Sequence, residues 1–398
     1  MLSKILVVSQ FSDLQTGGAE RYIHETCIRL TQRGFKLSWI NPQMKEPDHC
    51  LTKPWQLFSS GYHPDWSKQV DSFISRIKPD IILAHYTVPG IVDIAVRRAS
   101  KLLIPVCVVY HSDATGQHWI KRLSGTVYSK LIGSKTLSLS SALVISSPGF
   151  LKASSQFPSL RKLSIHYAPP GVDRFISQGL RNYDYPYLFF VGKATLHAKG
   201  FDLLYHAWLD CRREYPDLQL LVAGTMPTDI YPGVTFLGHI SDRSFLADLY
   251  ASALVTILPS RVSESFGMVL AEALVAGCPI IGARIGGIPN LVSDDVNGYL
   301  FNPGDMADLA SAIRRTLANQ SRLRENIAGF HGRYLHIFNW DRTTDQLVTA
   351  LHAAFSPSQP TARKSILFPP HVSKINILVQ AGLSPAKEST ATTTRRTR

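Results

Sequence analysis

"SESFGMVLAEALVAGCPII", residues 263–281, sets a polar loop, an apolar helical run and a β-branched strand end to end. Gly277 stands where the helix must stop. Glu264 lies just before the run, and Glu272 lies inside it among Val269, Leu270, Ala273 and Leu274. A free charge among those side chains is costly unless it has partners. The helix start, around Phe266, Gly267, Met268 and Val269, carries amides without internal partners and a partial positive charge. That end suits a phosphate. Eight helical residues rise ~12 Å, close to the span between ribose and hexose across a diphosphate. Glu264 then suits the hydroxyls of a sugar, Glu272 the diol of a ribose. A plainer reading stays open, with Glu264 as a helix cap and Glu272 on a solvated face.

Outward from this stretch the chain alternates strands and helices. "KILVVSQF" (4–11), "KLSWI" (36–40), "DIILAHY" (80–86), "IPVCVVYH" (104–111) and "ALVISS" (142–147) read as buried strands. After a linker over 177–186 the pattern restarts with "YLFFVGK" (187–193), "LQLLVAG" (218–224), "VTFLG" (234–238), "ALVTILPS" (253–260) and "PIIGA" (279–283). Near-continuous apolar strands separated by helices mean α/β units with parallel sheets covered on both faces. The expected organisation is two doubly wound, Rossmann-like domains, 1–176 and 187–337, facing across a cleft. A closing helix follows over 338–355. The tail, 356–398, lacks periodicity except in "INILVQAG" and reads as largely disordered. Ligands of such sheets bind at the carboxyl ends of the strands.

The 398 residues carry a net charge of +13, unevenly placed: +10 in residues 1–180, −3 in 181–355 and +6 in the tail. A basic first half suits an anionic partner or serves solubility alone. No recognition helix or aromatic RNA-binding motif accompanies the charge, which excludes a nucleic-acid binder. No run of eighteen apolar residues occurs, and "MLSKILVV" reads into a strand rather than a signal peptide. Five scattered cysteines without C-x-x-C spacing point to a reduced, cytoplasmic setting and away from zinc.

The full context, P-S-x-x-x-E-S-F-G-x-V-x-x-E-A-x-x-x-G-x-P-I-I, resembles the retaining GT-B glycosyltransferases of family 4. The likeness runs to about residue 355. "TGGAER" holds the glycine loop with Gly17 and Gly18, "YHSD" holds His111 and Asp113, and "PPGVD" closes the first domain. "FVGKATLHAKG" resembles the family's phosphate clamp, followed by "GARIGGIPNLV" and "NGYLFNPGD". The resemblance implies that Glu264 holds donor-sugar hydroxyls and Glu272 the ribose. It also implies that Lys193 and Lys199 neutralise the leaving diphosphate, that Gly18 brings a backbone amide close, and that His111 lies against the sugar. Lys193 departs from the family's usual arginine and offers a point charge rather than a bidentate fork. His197, beside Lys199, reads as a surface-loop residue.

These readings imply a hexosyltransferase that takes a UDP- or GDP-linked sugar to a glycan or lipid-linked acceptor. Surface polysaccharide or glycolipid assembly is the expected setting. No D-x-D occurs, so neither a metal nor another cofactor is expected. The segment 117–137 places Trp119, Ile120, Leu123, Val127, Leu131 and Ile132 near one helical face, flanked by Lys121, Arg122, Lys130 and Lys135. It reads either as a core-facing helix or as a contact with an anionic membrane. The alternative to an enzyme is a non-catalytic sugar-nucleotide binder or partner subunit on the same fold.

Overall fold

The computed structural model describes residues 2–10, 17–42, 51–57, 60–112, 125–154, 160, 163–173, 183–225 and 231–356. Asp113, Trp119, Ile120, Lys121, Arg122, Leu123, most of the linker and the tail beyond 356 lie outside them.

The first half contains β1 (Lys4–Ser9), α1 (Gly18–Gln32), β2 (Lys36–Ile40), β3 (Trp55–Leu57), β4 (Ser60–Tyr62), α2 (Trp66–Ile77) and β5 (Ile81–Tyr86). It continues through α3 (Ile91–Lys101), β6 (Val106–Tyr110), α4 (Ser134–Ser138), β7 (Ala142–Ile145), α5 (Pro148–Ala153) and β8 (Ile165–Tyr167). Six strands form a parallel sheet in the order β2-β1-β5-β6-β7-β8. Side chains alternate across it, as a pleated strand requires. Leu6, Val8, Ile82, Ala84, Val108 and Ile145 face one buried cluster, with α2, α3 and α5. Ile5, Val7, Ile81, Leu83, Val109 and Val144 face the other, with α1.

The second half runs β9 (Tyr187–Lys193), α6 (Phe201–Cys211), β10 (Gln219–Thr225), β11 (Val234–Gly238), α7 (Arg243–Ser252), β12 (Val255–Leu258), α8 (Met268–Val275), β13 (Ile280–Ala283) and β14 (Gly298–Phe301). Helices α9 (Met306–Ala318), α10 (Gln320–Ile337) and α11 (Trp340–Phe355) follow. Its parallel sheet has the order β11-β10-β9-β12-β13-β14. Both sheets reverse strand order once, between β1 and β5 and between β9 and β12, and those points are where ligands of open α/β sheets sit.

The structure adds to the sequence reading at three places. The expected helix from Phe266 starts only at Met268, because Gly267 takes a left-handed φ of 99° as the N-cap. Glu264 is therefore in the loop, and the ~12 Å helical rise between the two glutamates does not apply. The closing helix, read as a separate element over 338–355, packs on the first half. Trp340, Leu347, Ala350, Leu351 and Ala354 of α11 join Ile5, Val7, Ile81 and Leu83 in the buried cluster of the first sheet.

The third place is residues 125–138, which overlap the segment 117–137. They are helical with a π-turn at Ser129–Gly133, but Val127, Leu131 and Ile132 are exposed, Leu131 at 70%. The core side of the segment is instead Ser129, Gly133, Thr136 and Leu137. The core-facing alternative thus fails for Val127, Leu131 and Ile132, while Leu137 meets the core.

Candidate functional site

The loops after β9 and β12 meet at the switch point of the second sheet. After β9 the chain makes one 3-10 turn, His197–Lys199, and reverses at Gly200 with φ 69°. A Cβ on Gly200 would collide with the Pro259 carbonyl, so glycine lets the two loops touch. That approach places Lys199 Nζ 2.7 Å from Glu264 Oε1. Ser260 Oγ donates to the same oxygen at 2.5 Å. Glu264 Oε2 receives no hydrogen bond among the described residues and stays available to a hydroxyl.

Glu272 is 5% exposed on α8. Its partners come from other elements: Arg21 Nη1 of α1 donates to Oε1 at 2.8 Å, and Tyr250 Oη of α7 donates to Oε2 at 2.9 Å. Burial pushes the Glu272 carboxyl above its ordinary range, against the pull of Arg21 and Tyr250. Burial also opposes the Arg21 cation, but Glu272 and Asp173 outweigh it. Asp173 Oδ2 lies 2.5 Å from Arg21 Nη2, with Arg243 3.8 Å away on its other side. Two basic and two acidic groups from four parts of the chain thus knit the halves together. Ser146 and Ser147, which donate to the Ser265 carbonyl at 2.9 and 2.8 Å, add to that contact.

A cleft of about 780 Å³ opens beside this cluster. Of the residues singled out in the sequence, Gly17, Gly18, Lys193, Met268, Val269 and Glu272 line it. A Cβ on Gly18 would come 3.1 Å from Met268 Sδ, so the glycine lets α1 and α8 meet. The cleft also draws in Arg21, Asp173, Thr225, His239 and Arg243, which the sequence reading did not single out. Arg21 stands inside the quoted "TGGAER", and the apolar setting of Glu272 demanded a partner; no local signal joined the two.

His111, Lys199, Glu264, Phe266 and Gly267 do not line that cleft. Phe266 is a core residue, its ring edge-on to Phe338 at 5.9 Å, so its side chain is not available to a donor. Gly267 serves as the α8 cap, leaving the amides of Gly267, Met268 and Val269 without acceptors among the described residues. His111 packs against Tyr22 at 5.2 Å between ring centres and stacks on His85. Its Nε2 is 3.0 Å from His85 Nδ1, so the two rings share one hydrogen. Burial lowers His111 to about 3 and His85 well below the ordinary histidine value, so both rings are neutral near pH 7. Neutral His111 cannot supply positive charge to a leaving phosphate; it is a hydrogen-bonding group. His197 is exposed, as expected of a surface loop.

Residues 185–319 match the family model described as "Glycosyl transferases group 1", and residues 16–174 match "Glycosyltransferase Family 4". The sulfoquinovosyl transferase of Arabidopsis thaliana is 26% identical over 317 residues, which cover 72% of this chain and 59% of the relative. The phosphatidyl-myo-inositol mannosyltransferase of Propionibacterium freudenreichii is 31% identical over 186 residues, 46% of this chain and 47% of the relative. The matched stretches thus span about half the length of these relatives. Sucrose-phosphate synthase from Thermosynechococcus elongatus superposes with a TM-score of 0.71 at 21% identity, over 89% of this chain and all of the other. Two such halves facing one cleft are the GT-B architecture.

Proposed function

The chain belongs to the family 4, group 1 glycosyltransferases, and from that premise we propose that it moves a hexose from a UDP- or GDP-linked donor with retention of anomeric configuration. The observation that carries this reading is the Lys199–Glu264 pair at 2.7 Å, at the same switch point as the cleft that holds Lys193 and Glu272.

The difficult step is departure of the nucleoside diphosphate from the anomeric carbon. Negative charge grows on the leaving phosphate and positive character on the sugar ring. Lys199, Lys193 and the free amides at the start of α8 stabilise the phosphate, and preorganised donors of this kind act without reorganisation. Glu264 offers its open oxygen to the sugar hydroxyls, and Glu272 takes the ribose diol in exchange for part of its contact with Arg21. The acceptor attacks from the face the phosphate leaves, and the departing phosphate takes its proton. No metal or other cofactor enters this scheme.

We also infer a glycan or lipid-linked acceptor, in surface polysaccharide or glycolipid assembly on the cytoplasmic side of a membrane. A relative named for mannosyl transfer to phosphatidyl-myo-inositol supports this, as do exposed Val127, Leu131 and Ile132 beside Lys130 and Lys135. No helix among the described residues is long and apolar enough to cross a membrane, so the association would be peripheral. Lys193 in place of arginine favours the second reading, a sugar-nucleotide binder that does not turn over. Sugar release from UDP- and GDP-hexoses in EDTA decides between them. The proposal expects turnover without metal, loss in Glu264→Ala, and a transfer product whose anomeric proton signals retention. Inversion, or dependence on added metal, contradicts it.

A further inference from the structure

The Lys199–Glu264 pair sits on two loops, and loops do not hold a 2.7 Å geometry unaided. One side chain ties them. The Arg261 guanidinium forks onto Asp202, with Nη1 at 2.5 Å from Oδ1 and Nη2 at 2.8 Å from Oδ2. Nη1 also donates to the His197 carbonyl at 3.0 Å, and the Arg261 backbone N–H donates to the Ala198 carbonyl at 2.8 Å. Both carbonyls belong to the turn that ends in Lys199, and Arg261 stands between Ser260 and Glu264 on the facing loop. Asp202 is in the first turn of α6, which is fixed in the core by Phe201, Leu203 and Leu204. Gly200 against the Pro259 carbonyl closes the same contact from below.

We infer that Asp202 and Arg261 are positioning residues, a clamp that fixes Lys199 against Glu264 so that turnover depends on it more steeply than nucleotide binding, in which Lys199 is one of several groups on the diphosphate. Neither touches the cleft beside Glu272. The side chains are 42% and 21% exposed, so the pair adds little to global stability and its effect is local order. Bidentate geometry makes the identity of the arginine matter: a lysine supplies charge without the fork. The inference rests on the proposed roles of Lys199 and Glu264.

Asp202→Asn, Arg261→Lys and the double variant test it by three readouts: hydrogen exchange over residues 196–204, dissociation constants for UDP and GDP, and release of sugar from UDP- and GDP-hexoses. Each single variant should exchange faster at 197–200 and lose about 10–100-fold in turnover, the scale of a slightly misplaced catalytic group. Nucleotide dissociation constants should rise by less than turnover falls, and the double variant should be no worse than either single, as expected of one unit. Full turnover in the single variants, additive losses or unchanged exchange overturns the clamp. A wild type that releases no sugar refutes the transferase reading instead, and exchange together with its non-additivity then judges the clamp alone.

Discussion

Glu272 sits in an apolar helix with Arg21 and Tyr250 reaching its carboxyl oxygens from 251 and 22 positions away. The need for partners follows from its neighbours Val269, Leu270, Ala273 and Leu274; the identity of the partners does not, since tertiary packing alone brings α1 and α7 there. The same holds for His85 beneath His111. The histidine pair gives a pH prediction. A folded-state value lowered to about 3 means that the unfolded chain binds more protons between about 6.5 and 3. Stability from this pair is complete above pH 6.5 and is lost as pH falls toward 3. Urea titrations at pH 7.5 and 4.5 should show a larger drop for the wild type than for the His85→Asn, His111→Asn double variant. An equal drop in both removes the pair as its source.

At the scale of elements, central strands were readable because each is a run of apolar residues buried on both faces, as β1, β5 and β9 are. β8 and β14 escaped because they are three and four residues at the sheet edges, and Gly298 opens the latter. The hairpin β3–β4 escaped for the same shortness. Phe266 looks helical by periodicity, but the left-handed Gly267 resets the chain and α8 starts at Met268. In the segment 125–138 periodicity does not say which face meets the core. The exposed Val127 and Leu131, with Lys130 and Lys135, suit an interfacial helix. Lys130→Glu with Leu131→Glu should reduce flotation with phosphatidylglycerol vesicles while UDP and GDP binding persists. Flotation equal to that of the wild type refutes the membrane contact.

Across the whole molecule, the two parallel sheets and their switch points follow from strand–helix alternation. The contact between the halves does not. It is made by Arg21, Asp173, Ser146 and Ser147, whose partners lie in distant sequence, and by α11, which returns to pack on the first sheet. Arg21 links the first half to Glu272, the residue proposed to hold the ribose, so on that proposal the donor competes for a carboxylate that also seats the halves.

Thermal unfolding in EDTA with UDP, GDP or ADP, comparing wild type with Glu272→Ala, tests this most directly. At 100 times its dissociation constant a nucleotide adds about 2.7 kcal/mol of stability, an upward shift of a few degrees in a chain of this size. The account predicts that UDP or GDP produces this shift in the wild type without metal and much less in Glu272→Ala. An equal shift in both proteins, or none with any nucleotide, contradicts the assignment of Glu272 and the cleft to the donor.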